Sequence, residues 1–361
     1  KYEGLDGTEL AISESQERMA VVVAPEDAEK FIAAAQSENL EAYQVAVVTE
    51  SPRMVMNWKG QKIADLSREF LNTNGAVKHA NLCVEKKDRT ALGQASVHSL
   101  KELAASLKSA SRRGLTERFD GSIGAGSVLM PFGGKTQRTP AQAMAALFPV
   151  EPNQETDQAS VMAWGCDPDQ LSVDPYAGAH SAVYTSMAKI VAAGADYKKA
   201  YLTLQEFFEK LRNEPQRWGK PFSALLGALD AQLELGAAAI GGKDSMSGSF
   251  LDKDVPPTLI SFAIAPIQGQ QVLSPEFKAA DHPVYLFRSE DTKSAWEAFH
   301  ALCEAGKVKA AWAVENGLAE AVMKMSFGNR IGFQAGMENV DWYVPMTGAI
   351  VAELSEDIND P

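Results

Sequence analysis

Five consecutive residues, Gly241-Gly242-Lys243-Asp244-Ser245, set paired glycines, an ammonium, a carboxylate and a hydroxyl side by side. Glycines let backbone amides approach an oxyanion, lysine adds charge and serine adds a hydroxyl, so this order suits a phosphate group. The run directly follows the short apolar segment 237–240. It lacks the G-x-x-x-x-G-K-[ST] spacing of a Walker loop, and the same residues would equally make an ordinary glycine turn exposing Lys243 and Asp244. A second polar cluster, Glu14-Ser15-Gln16, presents a carboxylate, a hydroxyl and an amide just before the apolar run 19–23. Its plain alternative is a solvated lead-in to a strand, with Glu17 and Arg18 as a surface pair.

Other chemistry is thinly supported. His79, His98, His180, His282 and His300 have neither the spacing of a metal site nor a triad partner within reach, and are read as structural or solvent-facing. Cys83, Cys166 and Cys303 are far apart and odd in number, which argues against a disulfide framework and fits a reducing, cytoplasmic setting. Met323, Met325, Trp312 and Trp342 read as packing groups, and no basic residues around them suggest a platform for stacked bases. With 34 basic residues against 47 acidic ones the formal net charge is -13, which opposes the phosphate attraction behind nucleic-acid binding. Local phosphate binding by a few amides and one lysine remains compatible with that charge. Neither a membrane-spanning run nor a secretory leader is expected. The start without Met suggests an excised piece of a longer protein.

The elements that must position these groups follow from pattern. A chain of 361 residues exceeds the usual size of one core, so two or three domains are expected. Residues 19–23 and 43–48 read as strands flanking a helix from Pro25 to about Leu40. That unit closes near residue 75, and 76–118 reads as a helix-bearing connector with a stop at Gly114. A second unit begins at Phe119 in a glycine-crowded stretch. It contains helices from about Pro175 to Ala193 and from about Pro221 to Leu235, the latter closing at Gly236, and a strand at 261–267. A third unit has a strand at 283–289, a helix over 291–306 and a strand at 349–354. It repeats the order of the first, although strand-then-helix alone is weak evidence for a repeat.

Four stretches, in order, carry a family resemblance: SESQERM at 13–19 followed by VVVAPED, VDPYAGAHSAV at 173–183, GGKDSMSGSF at 241–250, and NGLAEAVMKMSF at 316–327. Together they span most of the chain, and it resembles the synthetase portion of the formylglycinamide ribonucleotide amidotransferases (phosphoribosylformylglycinamidine synthases). The resemblance implies an α+β fold: an aminoimidazole-ribonucleotide-synthetase-like barrel-forming domain flanked by outer α/β domains. Residues 1–75 would be the C-terminal part of a first outer domain, 119–267 a second barrel-forming domain, and 268–361 a truncated second outer domain.

The implied activity of the parent is a carbon–nitrogen ligation of de novo purine biosynthesis. ATP phosphorylates an amide oxygen of formylglycinamide ribonucleotide, and ammonia derived from glutamine displaces the phosphate. The resemblance places substrate contacts on Glu14, Ser15, Gln16 and Ser245, and phosphate or nucleotide contacts on Gly242, Lys243 and Asp244. ATP and magnesium belong to the parent. The first barrel domain and the glutaminase would be partners outside this stretch, so the piece by itself is expected to be inactive. Large members of the family hold an auxiliary nucleotide with magnesium on an Asp, a Glu, an Asn and a further Asp. The matching positions here fall near Gln142, Thr185, Lys189 and Trp312, none a carboxylate, so that site is expected to be degenerate and empty. A non-catalytic assembly module is the competing reading. A selenophosphate or aminoimidazole ribonucleotide synthetase relative fits the Glu14 cluster and the two half-repeats less well.

Overall fold

The computed structural model describes residues 3–14, 16–73, 77, 79–119, 121, 126–336 and 340–358. They fall into two compact units, 1–79 and 80–361.

In the smaller unit, helix α1 (Gly7–Ile12) is started by a reciprocal cap. The Asp6 carboxylate accepts from the Glu9 amide at 2.8 Å, and Glu9 accepts from the Asp6 amide at 2.9 Å. Helix α2 (Ala28–Ser37) follows a 3-10 turn at Pro25–Asp27, where the helix beginning at Pro25 was expected. Strands β1 (Arg53–Trp58) and β2 (Gln61–Ser67) form a hairpin whose two loop residues, Lys59 and Gly60, both have positive φ, the conformation that matches the twist of paired strands. Helix α3 (Arg68–Asn72) ends the unit, capped by the Ser67 hydroxyl. The segments 19–23 and 43–48 form no strand among the described residues, and Val22, Val45, Val47 and Val48 are exposed. Apolar alternation marks a segment able to join a ladder, but a strand exists only where a partner supplies the other half of its hydrogen bonds.

The larger unit starts with two short helices, α4 (Leu100–Ala105) and α5 (Arg113–Thr116). Gly114 lies inside α5 instead of stopping a helix. A two-residue ladder of β3 (Phe132–Gly133) and β4 (Thr139–Pro140) leads into β5 (Met144–Leu147) and β6 (Gln158–Gly165). Then come α6 (Pro168–Val173), α7 (Pro175–Ala192), β7 (Tyr201–Phe207), α8 (Pro215–Leu235) and β8 (Ala238–Lys243). After a small ladder of β9 (Ser249–Phe250) and β10 (Lys253–Asp254), β11 (Thr258–Gln268) completes a five-stranded sheet ordered β5-β6-β11-β7-β8. Its pairs are antiparallel except β7 with β8, the parallel pair that α8 connects.

Helix α7 begins where two signals coincide. Pro175 occupies the first turn, and the Asp174 carboxylate accepts from the Tyr176 and Ala177 amides. Arg89 pairs with the same carboxylate, holding the chain after residue 80 to this helix. Helix α8 begins at Pro215, six residues before the expected start at Pro221, which sits inside it. An interior proline loses one backbone bond. Burial of Gly219, Pro221, Ser223, Ala224 and Ala228 offsets that loss. The helix closes at Gly236 in the left-handed conformation, as its glycine predicted.

The chain ends in a three-stranded antiparallel sheet, β12 (Val284–Phe287), β14 (Ile350–Leu354) and β13 (Val308–Ala313), in that order, with helices α9 (Thr292–Glu304) and α10 (Leu318–Phe327). Strand β13 is buried on both faces. Ala311 and Ala313 join the core under α7, while Ala310 and Trp312 join a second cluster with Met325 and Trp342. Trp312, Met325 and Trp342 are thus packing groups, as expected. Strands β6 and β13 had no clear sequence signal because alanine, frequent in both, favours strands weakly. The fold is α+β, with a mixed sheet at its centre.

Candidate functional site

The run 241–245 straddles the end of β8, the edge strand of the five-stranded sheet. Gly241, Gly242 and Lys243 stand beside Thr203, Leu204 and Gln205 of β7, and all three are exposed. A Cβ on Gly242 would lie 2.9 Å from the Leu204 carbonyl oxygen, whereas one on Gly241 would meet nothing within 4 Å. Close strand approach therefore requires the second glycine and leaves the first free of packing. An edge strand turns alternate amides and carbonyls away from its neighbour, so β8 offers donors to a ligand. No helix begins at 244–248, and the run lacks the positive helix end that phosphate loops commonly use. Lys243 and the β8 edge are what it has for an anion.

Ser245 is held from both sides. Its amide donates to the Glu206 carbonyl at 3.1 Å, and its carbonyl accepts from the Phe208 amide at 3.0 Å. Its hydroxyl lies 2.8 Å from that of Ser247. The backbone amide is spent, so a ligand would meet the hydroxyl.

One group escaped the sequence reading. Glu206, on β7, is 4% exposed, and its Oε1 is buried with no hydrogen-bond partner. Burial, with a smaller contribution from the neighbouring Asp244 charge, pushes its carboxyl up to about 7. Glu206 and Asp244 border a groove of about 600 Å³ walled by Trp218, Phe222 and Leu225 of α8 and by Met246. The signal in the sequence was an acid within the apolar stretch LTLQEFF, at 202–208.

Of the other expected contacts, Glu14 and Gln16 belong to the smaller unit and lie together, the Gln16 amide donating to Glu14 Oε1 at 3.4 Å. Ser15 lies outside the described residues. Glu17 has a positive φ of 58°, so the chain bends sharply there.

The positions matched to an auxiliary nucleotide site, Gln142, Thr185, Lys189 and Trp312, do contain a carboxylate nearby that the sequence comparison did not single out, Glu315. It is already engaged. Lys189 Nζ lies 2.9 Å from Glu315 Oε2, 2.9 Å from the Trp164 carbonyl oxygen and 4.5 Å from the centre of the Trp164 ring. Gln142 Nε2 donates to Glu315 Oε1 at 3.2 Å and to the Ala313 carbonyl at 2.9 Å, while Gln142 Oε1 accepts from the Ala313 amide at 2.7 Å. Thr185 sits one turn before Lys189 on α7, and Trp312 is buried with its indole N–H unpartnered. Magnesium needs several hard oxygen ligands, and here an ammonium occupies the one carboxylate. These residues do not fit a magnesium–nucleotide complex. Among the described residues no group of three or more His, Cys, Asp or Glu could hold a metal, and no helix is long and apolar enough to cross a membrane.

Comparisons with known proteins agree with this architecture. Residues 1–59 match the family "AIR synthase related protein, C-terminal domain". The phosphoribosylformylglycinamidine synthase subunit PurL of Thermoplasma acidophilum is 24% identical, the match covering 99% of this chain and 51% of that protein. The corresponding subunit of Thermococcus gammatolerans is 27% identical over 74% of this chain and 36% of that protein. The structure of PurLQS from Thermotoga maritima matches 98% of this chain and 55% of its own at a TM-score of 0.69 and 19% identity. T. maritima PurL complexed with FGAR matches 98% of this chain and 53% of its own at a TM-score of 0.69 and 20% identity. The chain is PurL-like in sequence and fold over nearly its whole length, and it spans about half the length of the T. acidophilum relative.

Proposed function

We propose that this chain is part of the synthetase of a formylglycinamide ribonucleotide amidotransferase, and that it holds the phosphoribosyl substrate instead of carrying out the chemistry. The observation that carries this reading is a chain-long likeness to PurL combined with the position of 241–245 at the end of an edge strand, where Lys243 is exposed.

In this reading Lys243 supplies charge and Gly242 a close backbone approach to the substrate phosphate. The Ser245 hydroxyl is positioned by its paired backbone to hydrogen-bond the substrate. Glu14, Ser15 and Gln16 contact the ribose and the formamide, and Asp244 completes the loop. The parent reaction consumes ATP to phosphorylate the amide oxygen, after which glutamine-derived ammonia attacks the carbon and phosphate departs. ATP and magnesium act in the parent, and no step is assigned to them here. The division at 119–267 and 268–361 into barrel-forming and outer domains belongs to the same proposal, as does a cytoplasmic setting, in keeping with three cysteines that form no disulfide.

Binding of formylglycinamide ribonucleotide to this chain, and to the parent protein containing it, tests the reading. Ser245→Ala and Gln16→Ala are expected to weaken binding about tenfold each, the order expected for one lost hydrogen bond to a charged or polar ligand. A second reading, a non-catalytic assembly module, is favoured by the Lys189–Glu315 pair, which fills the matched auxiliary site with protein groups. Unmeasurable affinity in the parent as well as in this chain would decide for that reading.

A further inference from the structure

The groove beside the substrate loop has a chemistry of its own. Its walls are apolar and aromatic: Trp218, Phe222 and Leu225 come from α8 and Met246 from the chain after β8. Its lining also includes two acids, Glu206 and Asp244. Glu206 is buried, yet its Oε1 has no hydrogen-bond partner. A buried carboxylate without a partner is costly, and proteins ordinarily pair it. Of the cations nearby, Lys243 is exposed and forms an ion pair with neither acid, and two others are committed elsewhere. Lys220, on α8, lies 2.5 Å from Glu209, and Arg217 pairs with Glu214 and Asp254. The groove volume of about 600 Å³ is in the range that encloses small ligands.

We propose that this groove binds a small organic cation, an ammonium or amidinium group on an apolar body, with its charge on Glu206 and Asp244 and its body against Trp218, Phe222 and Leu225. The cation supplies the opposite charge that no ion pair gives the Glu206 carboxylate, and the aromatic walls favour it further through their ring faces. The raised carboxyl of Glu206 supports the same picture, since a group partly protonated near neutrality gives up its proton when a cation arrives. The assignment does not rest on the substrate reading. The groove selects the opposite charge from the phosphate loop, and the probes below contain no phosphate.

Three probes of one shape separate charge from hydrophobic contact: tryptamine, its neutral counterpart tryptophol, and the anion indole-3-propionate, each titrated by calorimetry into the 361-residue chain. Tryptamine is expected to bind saturably and at least about tenfold tighter than tryptophol, with indole-3-propionate weakest, and to release protons on binding near pH 7. Glu206→Gln should bring tryptamine down to the affinity of tryptophol and abolish proton release, while unchanged tryptophol binding shows that the groove is intact. Leu225→Arg, at the exposed rim, offers the site a cation of its own and should block tryptamine without depending on how the Glu206 variant folds. Equal affinity for tryptamine and tryptophol, no binding of either, or undiminished tryptamine binding by Leu225→Arg would each overturn the proposal. Tighter binding of an acetylated tripeptide with a central lysine than of tryptamine would overturn it in favour of a protein partner.

Discussion

Lys189 Nζ lies 2.9 Å from Glu315 Oε2, a link between the last turn of α7 and the chain just after β13. The two partners are unequally buried: the lysine side chain is 5% exposed and the glutamate 29%. Removing the acid strands a buried ammonium, whereas removing the lysine leaves a carboxylate that water reaches and that Gln142 still serves. Glu315→Ala is therefore expected to cost about 3 kcal/mol and Lys189→Met only about 1 kcal/mol. Urea unfolding of both variants checks the order, and equal costs would contradict the account.

The same pair bears on nucleotide binding. ADP with magnesium, added to this chain at millimolar concentration, is expected to leave its melting temperature within about 1 °C, because a ligand that does not bind the folded state does not stabilise it. Ordered nucleotide between residues 185 and 312 in a soaked crystal would sink this expectation.

Glu206 gives stability a defined pH dependence. Its folded carboxyl is raised from the ordinary 4.5 to about 7, so across that interval the folded state binds more protons than the unfolded one. The contribution is present in full below about 4.5 and is lost as pH rises through about 7. Relative to the wild type, Glu206→Gln should gain stability progressively between pH 5 and pH 8. Urea midpoints for both proteins at these two pH values would show it, and a constant difference would refute it.

The two adjacent glycines of the 241–245 run are not equivalent. Gly242→Ala forces a Cβ to within 2.9 Å of the Leu204 carbonyl and should cost about 1–3 kcal/mol, while Gly241→Ala meets open space and should be near neutral. Thermal melts of the two variants distinguish them. A substrate-binding defect in Gly241→Ala without loss of stability would identify that glycine as one the ligand approaches.

Much of this protein follows from local pattern. Pro175 after Asp174 and the left-handed Gly236 mark helix ends because proline, a capping acid and glycine act within a turn of their own position. The polar runs at 14–16 and 241–245 could be named from residue types alone. Whether an apolar segment becomes a strand depends on a partner distant in sequence. The valines of 19–23 and 43–48 were therefore expected to form strands that do not form, while β6 and β13 are strands that no expectation named. The acid of Glu206 and the Lys189–Glu315 link were equally out of reach, since both arise from long-range packing. Burial by α8 and a parallel neighbour make Glu206 an unpartnered carboxylate, and Lys189 and its acid stand 126 positions apart in the chain. Desolvation and pairing depend on what the fold brings near, and only the tertiary structure decides that.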